Sequence, residues 1–411
     1  MKKSHAILSV VIGIVAAAAL SSAISIDLAL FAGFVIAIAL LIYSDRKKVK
    51  LEGIIFIRRT TKGRDFIDRV AGKYHRSWRK ISHVGIALGI IFMILGSLLL
   101  LTQAYAVFAG AKDGGVKLLL PGPVSDPVNA PGVFVVPWWI WVIGIAVVII
   151  PHEFMHGIMC RIDKVRIKSV GWLLLILIPG AFVEPDEKQL AKMPKRTKLR
   201  VYAAGSFANM IVAAIVLAIA FFSVFALSAS SAIVPAGVAF AAAEGGPAHN
   251  ASLNGSIIAI DGVATTTHSQ LTAELQKHRH GDIIKVTTAE TQFISGFFPA
   301  GVVNLVNTDT KEVTLAENPE NGKPLLGIGV TGESVQLRVN FQAYAILSVL
   351  LFWIFLFSFG IGLVNLLPIK PLDGGLIFEE LVGGRKKLVK AVSIFMLLVL
   401  LFNIIGPVLL S

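Results

Sequence analysis

A polytopic α-helical membrane protein, with about seven spans and one small soluble insertion, is the architecture expected of this 411-residue chain. It is 55% hydrophobic and only 15% charged, a composition suited to lipid with a soluble portion attached. The net charge of +13 is unevenly spread. Positive residues crowd into short segments between uncharged runs, as the positive-inside rule requires, and that placement accounts for the charge without a nucleic-acid partner. The lone cysteine, Cys160, excludes an intramolecular disulfide framework and reads as apolar filler rather than a metal ligand.

Residues 6–24 form a first apolar stretch behind Lys2 and Lys3, and its tail through Ala23 also fits a signal-peptide cleavage region. Either reading leaves Ser25 outside, and a second span at about 28–43 returns the chain, completing an N-terminal transmembrane hairpin over 1–44. Residues 45–83 carry Arg46, Lys47, Lys48, Lys50, Arg58 and Arg59 among other cations. They read as a basic cytoplasmic loop drawn to anionic headgroups of the bilayer. A membrane domain follows over 84–229. Its first span, about 84–108, runs outward to a loop at 109–137 that contains Pro121, Pro123, Pro127, Pro131 and Pro137. Trp138, Trp139 and Trp141 then stand where an interfacial aromatic belt belongs.

The next span, about 139–160, contains His152-Glu-Phe-Met-His156. On a helix the two histidines share one face, so their imidazoles can hold a zinc ion while Glu153 serves as a proton acceptor toward water. Ionisable residues are expensive inside lipid, which makes a functional site the default reading. The span ends at Arg161 and Lys164, putting His156 roughly 7 Å and His152 roughly 13 Å inside the cytoplasmic end. Residues 169–183 are apolar but short, with cations on both sides, and fit a re-entrant loop or hairpin rather than a span. A span at about 201–228 holds Gly205 and Asn209; the buried amide needs a partner and is expected to support helix packing.

Residues 230–338 change character, with Gly, Thr and Asn replacing the apolar runs. Alternating strands at 256–260 and 283–287, punctuated by Asp261-Gly262 and Gly281-Asp282, predict a soluble domain outside the membrane. Its His249, His268, His278 and His280 read as surface residues. A C-terminal membrane region over 339–411 begins with a span at about 341–366, runs through Asn365-Leu-Leu-Pro368 to Asp373-Gly-Gly375, and ends with a span at about 391–410. Pro368 and Pro371 interrupt the helix there, and irregular backbone at a membrane boundary is tolerated where it lines a wet cavity. Asp373 emerges at the depth of His152 and His156, and is the best candidate for the third protein ligand that a catalytic zinc requires.

His152-Glu-Phe-Met-His156 in one span, with Asn365-x-x-Pro368 and Leu372-Asp373-Gly374 in a later one, resembles the site-2 protease family of intramembrane zinc metalloproteases over about 139–380. The resemblance implies one zinc per chain held by His152, His156 and Asp373, with Glu153 as general base. It further implies a substrate-orienting role for Asn365 in the motif completed by Pro368, and packing of Gly205–Asn209 against the core. The 169–183 stretch is similar to the family's membrane-re-entrant β-hairpin, which would pair with an unwound substrate. The 230–338 insertion resembles a PDZ domain through Gly246-Pro-Ala248, Gly255–Gly262 and His280–Ile284, with a further insertion at 289–312. Two departures stand out: Ser206 where many relatives carry proline, and Pro151 just before the first ligand.

The activity so implied is hydrolysis of peptide bonds within transmembrane segments of membrane-anchored, regulatory proteins, with the PDZ-like domain binding a peptide. Two other classes fit the same sequence: a metal-ion carrier built on the His/Glu/Asp cluster, and a non-catalytic scaffold that binds peptides through the outer domain. No second copy of the motif-bearing half supports a carrier. Short loops and the lack of eukaryotic features point to a prokaryotic cell membrane, an archaeal one among them. The site would then face the cytoplasm and the insertion the outside.

Overall fold

The computed structural model describes residues 3–21, 25–111, 114–122, 129–130, 132–175, 178–229, 232–292, 296–298, 302–337 and 341–409. The chain divides into two units, one of residues 1–215 with 353–411 and the other of 216–352.

The first unit opens with α1 (Lys3–Leu20) and α2 (Ile26–Ser44), packed closely through Gly13 and Gly33. A Cβ on Gly13 would lie 2.6 Å from the Gly33 carbonyl oxygen, so only glycine permits this approach. Ser22 and Ala23, at the expected cleavage region, lie outside the described residues. The basic 45–83 stretch, between the helices of two candidate spans, carries regular structure of its own. It folds into a hairpin of β1 (Val49–Glu52) and β2 (Ile55–Thr60), then α3 (Arg64–Lys73) and the first turns of α4 (His75–Phe108). Arg58 pairs with Asp45 at the end of α2. Burial works against ionisation of Asp45, yet the hydrogen bond and charge of Arg58 hold its carboxyl below its ordinary range.

Beyond α4, three short strands replace the expected outer loop. They are β3 (Leu118–Gly122), β4 (Asn129–Ala130) and β5 (Val133–Pro137), with β5 between the other two. Pro123, Pro127 and Pro131 lie outside the described residues. The motif helix α5 (Trp138–Ile162) runs unbroken through Pro151. Its first-turn tryptophans point partly into protein: Trp141 is buried with its indole N–H donated to Leu119, and that of Trp138 goes to Asp27 on α2. Pairing an indole donor inside the fold stabilises an aromatic side chain that would otherwise strand a polar group.

Two strands follow, β6 (Ile167–Leu175) and β7 (Ile178–Pro185), paired antiparallel as a hairpin. With the hairpin from the basic stretch they build one sheet in the order β1-β2-β6-β7. Gly171 at its centre admits close approach, since a Cβ there would stand 2.2 Å from the Arg58 carbonyl oxygen and 2.6 Å from the Phe182 ring. Gly171→Ala is therefore expected to destabilise the protein by about 1–3 kcal/mol, read as a lowered thermal midpoint of the purified chain; an unchanged midpoint would show that the sheet yields freely. The short α6 (Glu187–Ala191), capped by the Asp186 carboxylate accepting from Gln189 N–H, leads into α7 (Lys195–Ser228).

The second unit is built on strands β8 (Ile233–Ala242), β9 (Ser256–Ile260), β10 (Val263–Ala264), β11 (Ile283–Gln292), β12 (Asn304–Thr314), β13 (Ala316–Glu317), β14 (Pro324–Leu325) and β15 (Ile328–Leu337), with α8 (Pro247–Asn250) after β8 and α9 (His268–Leu275) after β10. The main sheet runs β12-β11-β9-β8-β15, with β10 paired to β9. Asp261 and Gly262 both take positive φ in the tight turn between β9 and β10. Val238, Ile257, Ile260, Leu271, Ile284 and Val286 fill its core. The 289–312 stretch, expected as an insertion, largely lengthens β11 and β12, which pair from Ile283↔Thr314 to Gln292↔Asn304.

The chain closes with α10 (Phe341–Asn365), α11 (Asp373–Leu381) and α12 (Lys386–Leu409). Among the described residues, six helices are long and apolar enough to cross a membrane: α2, α4, α5, α7, α10 and α12. The apolar part of α1, Ala6–Leu20, is shorter. Large apolar side chains such as Leu98 on α4 and Leu398 on α12 are more than half exposed, a surface stable in lipid rather than water.

Candidate metal centre

The site is assembled by three helices of the first unit. On α5, one helical turn separates His152 from His156, and their Nε2 atoms approach to 3.2 Å. Asp373 is brought to them by the turn between α10 and α11. Gly374 and Gly375 let that turn lie against the backbone of residues 366–370; a Cβ on Gly374 would fall 1.9 Å from the Leu366 carbonyl oxygen. One Asp373 oxygen, Oδ2, lies 3.5 Å from His152 Nε2, and the other, Oδ1, 3.5 Å from His156 Nε2. Among the described residues these three form a group that could hold a metal ion, their ligand atoms all within 4.8 Å of one another.

The third helix, α7, supplies one partner to each of the three. The Val201 carbonyl faces His156 Nδ1 at 2.7 Å, the Asn209 amide faces His152 Nδ1 at 3.1 Å, and the Ser206 hydroxyl donates to Asp373 Oδ2 at 3.2 Å. A carbonyl only accepts, so Nδ1 of His156 carries the proton and Nε2 of the neutral ring offers a lone pair. For His152 either amide atom of Asn209 can face the ring, and with the nitrogen toward the ring Oδ1 is buried without a partner among the described residues. Turning Oδ1 toward Nδ1 satisfies the oxygen and leaves Nε2 of His152 as the second ligand atom. Gly205 makes room for both rings, since a Cβ there would sit 2.3 Å from each Nε2.

Glu153, next to the first ligand, accepts a hydrogen bond at Oε2 from the Val183 N–H of β7 at 3.0 Å. Asn365 ends α10, half-buried, and its side chain makes no hydrogen bond among the described residues. Pro368 is buried, and its carbonyl accepts from Ser393 on α12 at 3.3 Å. The structure thus brings His152, Glu153, His156, Asp373 and Asn209 around one point, with Asn365 and Pro368 on the turn that carries Asp373 but outside its hydrogen bonds. Cys160 is fully buried in an apolar cluster with Met159 and Ile162. Sequence reasoning missed the carbonyl of Val201, the N–H of Val183 and the bond from Ser206. Only the last left a trace, as a polar residue on an apolar span.

The family model for peptidase family M50 matches residues 140–405. An uncharacterized protein of Methanocaldococcus jannaschii is 35% identical over 185 residues, covering 43% of this chain and 47% of the relative. The chain therefore matches about half the length of that curated relative. The matched region of the family model holds the motif helix, the aspartate-bearing turn and the helix that partners both, and the chain belongs to peptidase family M50, the site-2 proteases of membranes.

Proposed function

We propose that this protein is a zinc endopeptidase that cuts transmembrane segments of membrane-anchored, regulatory proteins. The observation that carries the reading is the approach of His152, His156 and Asp373 in a chain of this family. The donor set fits the metal. Two Nε2 lone pairs facing each other at 3.2 Å beside a carboxylate repel unless a cation or proton lies among them, and two imidazoles with one carboxylate leave zinc an open position. Bound there, zinc would polarise the scissile carbonyl and acidify water.

The chain's own residues do the rest. Glu153 takes the proton of the attacking water and returns it to the leaving amine, while the Val183 N–H fixes which carboxylate oxygen stays free for that exchange. In the sheet order β1-β2-β6-β7, β7 is the terminal strand. The Val183 N–H is directed to Glu153 and away from β6, so the open edge of β7 runs beside the proposed base. A substrate helix must unwind to expose a peptide carbonyl, and pairing with this edge would satisfy the freed backbone groups.

The same reading places the chain in a prokaryotic cell membrane, with the site toward the cytoplasm. Residues 230–338, the stranded part of the second unit, are then the PDZ-like domain outside the membrane, binding a peptide. Purified protein loaded with zinc is expected to cleave a model transmembrane substrate, to lose the activity on chelation and to regain it when zinc is restored. Cleavage that survives complete removal of metal would exclude the metallopeptidase reading. Stoichiometric metal with no cleavage of any of several substrate helices would favour a carrier or a scaffold.

A further inference from the structure

We infer that Ser206 is a positioning residue that holds one oxygen of Asp373, leaving the other to serve the metal; this rests on the proposed metal site. A serine inside a helix ordinarily returns its hydroxyl to its own backbone. Ser97 donates to Met93 at 2.7 Å, Ser82 to Arg79 at 2.8 Å and Ser223 to Ala220 at 2.8 Å, each within one turn. Ser206 is fully buried and departs from these three, as Ser393 on α12 does toward the Pro368 carbonyl, reaching Asp373 Oδ2 across 167 residues of sequence. A buried hydroxyl that gives up its local acceptor for a carboxylate makes the stronger, charge-assisted bond and restricts rotation of that carboxylate.

The consequence is an asymmetry between the two oxygens. Oδ2 has one lone pair committed to the Ser206 hydroxyl, whereas Oδ1, 3.5 Å from His156 Nε2, is bonded to no donor on α7. Without the hydroxyl, both oxygens face the two histidines equally. A residue that cannot donate at this position lacks this control, so the device depends on the hydroxyl of Ser206. Partners of metal ligands of this kind are worth about 10- to 100-fold in metal affinity.

The test uses full-length protein in nanodiscs with Ser206→Ala, Ser206→Thr and Ser206→Val. Affinity for Zn²⁺ is read by competition with a chelator, and coordination from the visible absorption of the Co²⁺-substituted protein. Thr and Val add the same branch and differ in the hydroxyl, so any packing cost is common to both. The expected result is Zn²⁺ affinity at least about 10-fold weaker for Ala and Val, with an altered Co²⁺ spectrum, and Thr within about threefold of the parent. Equal affinities and spectra throughout would overturn the inference, as would equal weakening by Thr and Val; the latter pair decides if the Ala variant does not fold. A parent protein that takes up neither ion would instead remove the metallopeptidase reading from under it.

Discussion

Glu153→Gln is expected to leave zinc content unchanged and to lower the rate of substrate cleavage by about 10²- to 10⁴-fold, the usual worth of a positioned general base. Glutamine keeps the length and shape of the side chain and retains an oxygen that can accept the Val183 N–H. Its amide, however, cannot accept a proton at neutral pH. His152, His156 and Asp373 are untouched by the change, so metal analysis of the same preparation separates loss of chemistry from loss of the site. Activity within a few-fold of the parent would assign the base elsewhere. Loss of zinc together with activity would make Glu153 a ligand or a structural support instead. The first outcome also bears on β7, since a base that is not Glu153 leaves no reason for the substrate edge to lie along Val183.

The two histidines and the aspartate were legible in the sequence for different reasons. His152 and His156 are local, four residues apart on one helix, and a helix of any environment puts them on one face. Asp373 is 217 residues from His156 but could be placed by depth, because charge asymmetry fixes where each span ends. What could not be read is lateral packing. The spans α5 and α7 are apolar on every side, so no stripe of hydrophobic residues reveals which face of one meets the other. The bonds from α7 to the three ligands depend on that rotation, which the presence of Gly205, Ser206 and Asn209 on one span does not specify. The hairpin of β1 and β2 was masked differently. Two of the thirteen cations of the 45–83 stretch, Arg58 and Arg59, lie on β2 and are paired with acids, Asp45 and Glu52. Charge that reads as attraction to lipid is here partly spent on joining strands.

Gly205→Ala is expected to abolish high-affinity metal binding, and with it cleavage, through one added methyl group. The new Cβ would stand 2.3 Å from Nε2 of both His152 and His156, and 2.5 Å from Cδ2 of His152. Contacts that short do not persist, so a ring or a helix must move. The rings have little freedom: His156 is held at Nδ1 by Val201, and His152 by Asn209. Moving α7 instead would pull those same partners and Ser206 away from the ligands, so either adjustment spoils the site. Alanine is the better helix former by about 1 kcal/mol, which favours survival of α7 itself. The expected signature is therefore a folded protein without metal, with zinc content near zero after dialysis and a thermal midpoint close to that of the chelated parent. Full zinc occupancy in the alanine variant would show that the metal is held away from the space between the two imidazoles, and the ligand assignment would fall with it.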